Sequence, residues 1–142
     1  MNIYLVKTDA EIAECYPVIR ELRQHISESG FVQRVRRQEE GGYRLVAVKD
    51  DDEVVAVAGF RVGENLAWGK FLYVDDWVTS ERRRSKGYGA GLASWLREFA
   101  LEKGCLQLHL DSGFQRVDAH RFYQREGMSK TGLHFAQSLV ND

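Results

Sequence analysis

Two β-rich runs joined by a short acidic turn restrict what this chain can fold into more than any other feature. The runs are YRLVAVK (Tyr43–Lys49) and EVVAVAGFRV (Glu53–Val62), and Asp50–Asp52 lies between them. Runs rich in valine and bounded by turn residues are typical of strands, and so short a connection predicts a hairpin. A further run, GKFLYVDDWVTS (Gly69–Ser80), predicts a long strand after the hairpin.

Helical patterns precede these strands. Asn2–Lys7 has the composition of a short strand, and Thr8 followed by Glu11 is the sequence pattern of a helix-capping box. Apolar residues then recur at helical spacing as far as Ile26, and Phe31–Glu40 predicts a second, more polar helix. The N-terminal part of the chain is therefore expected to supply one strand and two helices.

Strands and helices alternate after the hairpin. Leu92–Ala100 carries one apolar helical face, Cys105–Leu110 alternates as a strand does, and Arg116–Glu126 predicts a short helix. Two strand pieces, MSK and LHFAQSL (Leu133–Leu139), follow. The predicted order is β-α-α-β-β-β-α-β-α-β-β. It indicates an α+β (mixed α/β) fold, in which a central mixed sheet carries helices on both faces.

The composition argues against several classes of protein. A length of 142 residues suits one domain, so residues 1–142 are expected to form a single domain. A net charge of -1 argues against a dedicated nucleic-acid-binding protein, and no apolar run approaches membrane length. Cys15 and Cys105 lie in no metal-type spacing. Buried thiols in a reducing cytoplasm are therefore expected, without a metal site and without a nucleic-acid or membrane partner.

The segment RRRSKGYGAGLASWL (Arg82–Leu96) places small residues between a strand and an amphipathic helix. The N–H groups of a first helical turn lack partners within the helix, and the helix dipole adds positive charge there. Glycines let an anion approach that backbone, so the segment predicts a site for a phosphate-bearing ligand. A Walker A loop is excluded because Lys86 precedes Gly87, and the G-x-G-x-G spacing differs from the G-x-G-x-x-G of a Rossmann loop.

The loop sequence RSKGYG (Arg84–Gly89) resembles the acetyl-coenzyme A pyrophosphate loop of the GNAT-type N-acetyltransferase superfamily. The segment AHRFYQREGM (Ala119–Met128) resembles the C-terminal helix of the same family. The predicted order of elements matches the family's fold over most of the chain. The resemblance implies a mostly antiparallel sheet and an N-acetyltransferase that uses acetyl-CoA. It also implies direct transfer of the acetyl group to a primary amine of a small molecule or a protein.

The resemblance assigns residues to the cofactor as well. It implies that backbone N–H groups of the loop hold the pyrophosphate, and that the strand before the loop pairs with pantetheine. A backbone N–H near Trp77 would point at the thioester oxygen, where charge develops during attack. The residues so assigned are Trp77, Val78, Thr79, Arg84, Ser85, Lys86, Gly87, Tyr88, Gly89 and Ala90.

Asp75 and Asp76, in the sequence VDDW, are the candidate carboxylates for the acceptor amine. Strand alternation puts them on opposite faces, so only one is expected to face the cleft. A β-bulge or a water-facing strand edge is the other explanation for aspartates in a strand. An amine with a pKa of about 10 arrives protonated, so a carboxylate must orient it or take its proton through water. The resemblance favours Asp76 for this role, with Asp75 in reserve.

Tyr123 is the second catalytic candidate, because the resemblance places the matched tyrosine beside the cofactor sulfur. A phenol with a pKa of about 10 can protonate the leaving thiolate. The sequence also departs from the family pattern, with Arg116 in place of a frequent asparagine and Glu81 in place of a frequent proline. Neither cysteine has a neighbouring histidine in sequence, so no acyl-cysteine intermediate is expected.

The acceptor stays open between a polyamine, an aminoglycoside and a protein lysine. In a fold of this kind the first two helices and the last strands shape the acceptor cleft. The residues that they offer are Tyr16, Phe31, Val32, Arg36, His134 and Phe135. A homodimer is also left open. The alternative function is a protein of the same fold that binds acetyl-CoA as a sensor or partner module without transferring the acetyl group.

Overall fold

The computed structural model describes residues 1–84 and 86–140 and falls into two compact units, Met1–Leu110 and Asp111–Asp142. The first unit contains, in chain order, β1 (Asn2–Leu5), α1 (Asp9–Leu22), α2 (Glu28–Glu39), β2 (Arg44–Asp50), β3 (Glu53–Asn65), β4 (Gly69–Thr79), a single 3-10 turn (Glu81–Arg83), α3 (Tyr88–Glu102) and β5 (Gln107–Leu110). The second unit contains α4 (Val117–Arg125). In the part of the chain that the structure describes, no helix is long and apolar enough to cross a membrane.

The five strands form one sheet in the order β1-β2-β3-β4-β5. The first three neighbouring pairs are antiparallel and β4 pairs with β5 in parallel, which confirms the predicted mixed, mostly antiparallel sheet. The predicted hairpin is confirmed as β2 and β3. Asp51 and Asp52 both have positive φ, at 53° and 61°, which is the backbone of a type I′ two-residue turn.

Helices pack on both faces of the sheet, as the order of elements predicts. Along β2, Leu45 and Ala47 point to the face covered by α1 and α2, whereas Val46 and Val48 point to the face covered by α3. All four side chains are buried. This alternation follows from the two-residue period of a strand, and it gives the first unit a separate apolar core on each side of its sheet.

The start of α1 confirms the capping box in the sequence. The Glu11 N–H donates to Thr8 Oγ1 at 3.1 Å, and the Thr8 N–H donates to Glu11 Oε1 at 2.9 Å. The helix continues through Pro17 and ends at Leu22. The following residue, Arg23, caps the helix through its N–H, which donates to the Ile19 carbonyl at 2.8 Å. The cap fixes the backbone from which the Arg23 side chain extends.

The two strands predicted after Gly127 are wrong. Within residues 128–140 the structure has no strand, and Leu133, Phe135 and Leu139 are exposed. Alternating apolar residues give a segment the composition of a strand, but a strand also requires hydrogen bonds and side-chain contacts from a neighbouring strand. Residues 128–140 therefore have the composition of a strand but lack a neighbouring strand with which to pair.

Candidate active site

A cavity of about 530 Å³ opens on the face of the sheet that α1 and α2 cover. Its wall combines apolar side chains with three arginines, two aspartates and one histidine. The lining residues are Ile19, Arg23, His25, Ile26, Phe31, Arg34, Val35, Gln38, Tyr43, Arg61, Asp75 and Asp76.

Both candidate carboxylates line this cavity, so the expectation that only one faces the cleft is wrong. Val74 lies opposite Phe60 and Asp76 lies opposite Gly59, which leaves Asp75 as an extra residue in β4. This is a β-bulge, and a bulge shifts the alternation of the strand that contains it. A β-bulge was the other explanation for two aspartates in a strand. The structure contains that bulge, and it places both carboxylates on the cavity.

Asp76 is held by two donors. Its Oδ1 accepts from Arg23 Nε at 2.8 Å, and its Oδ2 accepts from the Tyr43 hydroxyl at 2.6 Å. Burial raises the pKa of Tyr43 far above its usual value, and the neighbouring Asp76 charge raises it further. The phenol therefore stays protonated and donates to Asp76 at every pH at which the protein would be assayed. The carboxylate side chain retains 15% of its exposure, which keeps it accessible from the cavity.

Asp75 is held by a single arginine through both of its oxygens. Arg61 Nε donates to Oδ2 at 2.7 Å and Arg61 Nη2 donates to Oδ1 at 2.9 Å, a two-point pair that fixes the carboxylate plane. The Asp75 carbonyl accepts from Arg23 Nη2 at 3.0 Å. Arg23 thus connects the backbone of the bulge to the Asp76 carboxylate, and it holds the bulge in the shape that presents both aspartates.

Gly59 makes room for the Tyr43 ring that supports Asp76. A Cβ atom built on Gly59 would lie 1.8 Å from Tyr43 Oη and 2.4 Å from its Cζ. Tyr43 is only 5% exposed, so the ring cannot move aside without disturbing the core. We expect Gly59→Ala to lower the free energy of unfolding by about 1–3 kcal/mol, as overpacking of a core does. Urea unfolding measures the change.

Gly132→Ala is the matched control for this substitution, because a Cβ at Gly132 meets nothing within 4 Å. We expect its free energy of unfolding to stay within about 0.5 kcal/mol of the unsubstituted protein. Equal stability of the Gly59 and Gly132 variants would contradict the packing of Tyr43 against Gly59.

The end of β4 extends beyond its parallel partner. The parallel pairs with β5 run from Phe71–Gln107 to Val74–Leu110, where β5 ends, whereas β4 continues to Thr79. The continuing segment contains Trp77, Val78 and Thr79, the residues assigned to pantetheine. On its other side it remains paired with β3, from Ala58–Trp77 to Ala56–Thr79. The sheet therefore supports this segment along one edge beyond the point where β5 ends.

The glycine loop has the backbone of a helix-terminus anion site. Gly87 is the N-cap of α3 in the left-handed region, at φ 85°, and no described side chain caps it. The Gly91 N–H donates to the Gly87 carbonyl at 3.0 Å, so the N–H groups of Tyr88, Gly89 and Ala90 belong to the turn whose donors have no partner within the helix. Arg84 and Lys86 are exposed beside this turn. Ser85, also assigned to the cofactor, lies outside the described residues.

Tyr88 anchors the loop to the acidic hairpin turn. Its side chain is buried and its hydroxyl donates to Asp50 Oδ2. This hydrogen bond holds the pKa of Asp50 below its usual value, and the charge of Arg83 lowers it further. Sequence reasoning interpreted Tyr88 as a backbone contributor and the hairpin turn as solvated. The structure adds that the tyrosine and the turn fix the start of α3.

Two of the loop arginines also contact the hairpin. Arg82 Nη2 lies 2.8 Å from Glu53 Oε1, and Arg83 lies 3.4 Å from Glu53 and 3.7 Å from Asp51. Their charges are thus partly compensated within the protein.

The second unit contains Tyr123 on α4, together with Arg116 at the helix N-cap. Burial raises the pKa of Tyr123 above its usual value, while the charge of Arg116 and a hydrogen bond with it act in the opposite direction. His120 Nε2 donates to the Gly113 carbonyl at 2.7 Å and so fixes the turn before α4. Arg116, which departs from the family pattern, is therefore an electrostatic neighbour of the candidate acid.

Both cysteines are buried free thiols. Burial raises the pKa of Cys15 to about 12, and burial also raises the pKa of Cys105. A thiol with a raised pKa is protonated at neutral pH and is a poor nucleophile. These environments support the expectation that no acyl-cysteine forms.

Sequence reasoning found only part of the cavity wall. Of the residues considered for the acceptor, Phe31 lines the cavity, Tyr16 is buried in the core, and Arg36 pairs with Asp9 and Glu39. His134 and Phe135 belong to the second unit. The lining residues Arg23, Arg34, Tyr43 and Arg61 were not predicted from the sequence. Arg34 could have been found from the sequence, because it lies on one helical face with other lining residues. That face contains Phe31, Arg34, Val35 and Gln38.

The amino-acid sequence matches a known family and proteins of that family. The model of the acetyltransferase (GNAT) family matches residues 7–128. The uncharacterized N-acetyltransferase YhdJ of Bacillus subtilis is 35% identical over 114 residues, 80% of each chain. The aminoalkylphosphonate N-acetyltransferase of Salmonella typhimurium is 32% identical over 98 residues, which are 68% of this chain and 62% of that protein.

A solved structure shows the same fold. The aminoglycoside N-acetyltransferase AAC(6')-Iy in complex with CoA has a TM-score of 0.84 to this chain, with 10% sequence identity. The likeness covers 98% of this chain and 96% of the other.

Proposed function

The chain belongs to the acetyltransferase (GNAT) family and is an N-acetyltransferase, and on that premise we propose that it transfers the acetyl group of acetyl-CoA directly to a primary amine. The observation that carries the proposal is the pairing of two features in one unit. A helix terminus with left-handed Gly87 as its N-cap suits a pyrophosphate, and a cavity with two carboxylates suits an amine. We further propose that residues 1–142 act as one domain, and that the reaction takes place in the cytoplasm.

The residues present fit acetyl-CoA. The N–H groups at the start of α3, with Arg84 and Lys86 beside them, suit the pyrophosphate. The extended backbone of Trp77–Thr79 suits pantetheine, and a backbone N–H near Trp77 is the donor proposed for the thioester oxygen. When bound, acetyl-CoA supplies the thioester, whose carbonyl carbon is open to attack by an amine.

The proposed reaction uses one residue to activate the amine and another to protonate the leaving sulfur. Asp76 orients the ammonium of the acceptor and receives its proton through water, so that the amine lone pair becomes available. The nitrogen then forms a bond to the acetyl carbon, the carbon–sulfur bond breaks, and Tyr123 gives a proton to the sulfur. The nitrogen loses its second proton to the Tyr123 phenolate through water, which restores the phenol. The products are an N-acetyl amine, CoA thiol and one proton, which Asp76 returns to the solvent, so atoms and charges balance.

The relatives support a small-molecule acceptor. The Salmonella relative acts, by its name, on aminoalkylphosphonates, which are small amines. The cavity of about 530 Å³ has a size typical of sites for small molecules. We therefore propose a small amine as the acceptor class in preference to a protein lysine.

Release of CoA thiol tests the proposed function. The protein is mixed with acetyl-CoA and a panel of primary amines, and thiol formation is followed with a disulfide dye. Amine-dependent thiol release, with the N-acetylated amine detected by mass spectrometry, supports transfer. Binding of acetyl-CoA without amine-dependent release would favour the non-catalytic sensor that the sequence left open.

A matched pair of substitutions tests the loop. Gly87 lies at φ 85°, a region that asparagine and aspartate both tolerate. A Cβ atom there meets nothing within 4 Å, so neither side chain collides with the protein. We expect Gly87→Asp to weaken acetyl-CoA binding more than about 10-fold relative to Gly87→Asn, since only aspartate repels phosphate. Calorimetric titration of both variants measures the difference, and equal affinities would remove the loop from phosphate binding.

A further inference from the structure

The arginines and aspartates that line the cavity do not balance in charge. Arg23 pairs with Asp76, and Arg61 pairs with Asp75, so each carboxylate already has an arginine partner. Arg34 also lines the cavity and brings a third guanidinium. Among these groups the positive charges exceed the negative ones by one, and the excess lies on Arg34.

Arg34 has no compensating group in the part of the chain that the structure describes. Its Nε is buried and makes no hydrogen bond. A buried donor without a partner is costly, and the cost is larger for a charged group. Positions of this kind are usually satisfied by a ligand or by ordered water.

α2 presents Arg34 on its cavity face. Phe31 and Val35, which lie three residues before and one after Arg34, are buried in the core, and both also line the cavity. The apolar neighbours fix the helix face, and Arg34 itself is half-buried between them. A guanidinium so placed is suited to a planar or tetrahedral acid, which it binds with two parallel N–H groups.

We propose that the acceptor is an amine that also carries an acidic group, a carboxylate or a phosphonate. Arg34 binds the acidic group, while the cavity carboxylates, with Asp76 foremost, receive the ammonium. The inference rests on the proposed function, because it names the substrate class of that transfer. It also disfavours polyamines and aminoglycosides, whose additional ammonium groups would meet Arg23, Arg34 and Arg61.

Matched amines test the proposal by binding, independently of turnover. Calorimetry in the presence of CoA compares 3-aminopropylphosphonate and 4-aminobutyrate with propylamine, which shares the amine and lacks the acid. We expect at least one acidic amine to bind with a Kd about 10- to 100-fold lower than propylamine, as a charge-assisted hydrogen-bonded pair would give. The two acidic arms distinguish a phosphonate from a carboxylate.

Substitutions on one helix assign the effect to Arg34. We expect Arg34→Gln to remove the preference, so that acidic and neutral amines bind within about 3-fold of each other, and Arg34→Lys to retain part of it. Arg37→Gln removes the same charge from an exposed position of α2 and is expected to leave the preference unchanged. Circular dichroism and thermal unfolding verify that each variant is folded.

The outcomes separate this inference from the proposed function. If propylamine binds as tightly as both acidic amines, or if no acidic amine binds, the inference is overturned. An equal loss of preference in the Arg34→Gln and Arg37→Gln variants would also overturn it, because a general charge effect would then suffice. If acidic amines bind through Arg34 but no thiol is released, the proposed transfer fails while the binding site stands.

Discussion

Tyr123→Phe is expected to lower kcat by about 10²- to 10⁴-fold, the range that general acid–base catalysis contributes. The substitution removes one hydroxyl from α4 and leaves the aromatic ring. Acetyl-CoA affinity should change little, because the proposed phosphate contacts come from backbone N–H groups of the loop. The departing thiolate would have to leave without a proton donor. Stopped-flow or steady-state thiol release at saturating substrates gives kcat, and calorimetry gives the affinity.

The pKa of Tyr123 determines the pH range in which its phenol is protonated and can act as the acid. Burial raises that pKa, so the phenol is protonated throughout the neutral range and up to at least its usual value of about 10. Any loss of kcat caused by ionisation of Tyr123 should therefore appear only at higher pH, and the Tyr123→Phe variant should lack that loss.

Tyr4→Phe is the matched control for the loss of a hydroxyl. The Tyr4 hydroxyl is buried and makes no hydrogen bond among the described residues, so its removal should leave kcat unchanged. Wild-type kcat in the Tyr123 variant at saturating substrates would exclude Tyr123 from the reaction.

Asp76→Asn is expected to lower kcat/KM for the acceptor amine by about 100-fold, with acetyl-CoA affinity unchanged. The amide keeps the size of the carboxylate and can accept from one of its two present donors, Arg23 and Tyr43. It cannot balance an ammonium or accept its proton. The loss should therefore appear in the rate of transfer to the amine, while the affinity for acetyl-CoA measured by calorimetry is retained.

Asp75→Asn provides the comparison. Both Asp75 oxygens are bound by Arg61, so this carboxylate has less capacity left for a ligand. Its substitution should lower kcat/KM less than that of Asp76. A larger loss in the Asp75 variant would show that Asp75, and not Asp76, orients the amine and receives its proton. An unchanged rate in both variants would exclude both carboxylates from the mechanism.

Local patterns in the sequence were sufficient for most of the elements. Thr8 and Glu11 lie close in the chain, so their capping box could be read directly and is found in the structure. The glycines of the loop lie between a strand and a helix, and Gly87 takes the left-handed N-cap conformation that glycine adopts readily. The valine-rich runs on either side of Asp50–Asp52 also predicted the hairpin of β2 and β3. Each of these features depends on neighbours in sequence.

The cavity could not be derived in the same way, because its residues come from distant parts of the chain. Arg23 follows the last residue of α1 and Asp76 belongs to β4, yet their side chains meet at 2.8 Å. The surplus charge of Arg34 exists only because Arg23 and Arg61 are committed to the aspartates. No local pattern contains such a balance of charges.

By itself, the sequence determined the order of most elements, the glycine loop at the start of a helix, and the family to which the chain belongs. Only the tertiary structure decided which way the carboxylates face. The extra residue at Asp75 shows in the pairing of β4 with β3, where Gly59 lies opposite Asp76, and not in the composition of β4. The physical reason is that a bulge depends on register between two strands. The same holds for residues 128–140, which pair with no strand in the part of the chain that the structure describes.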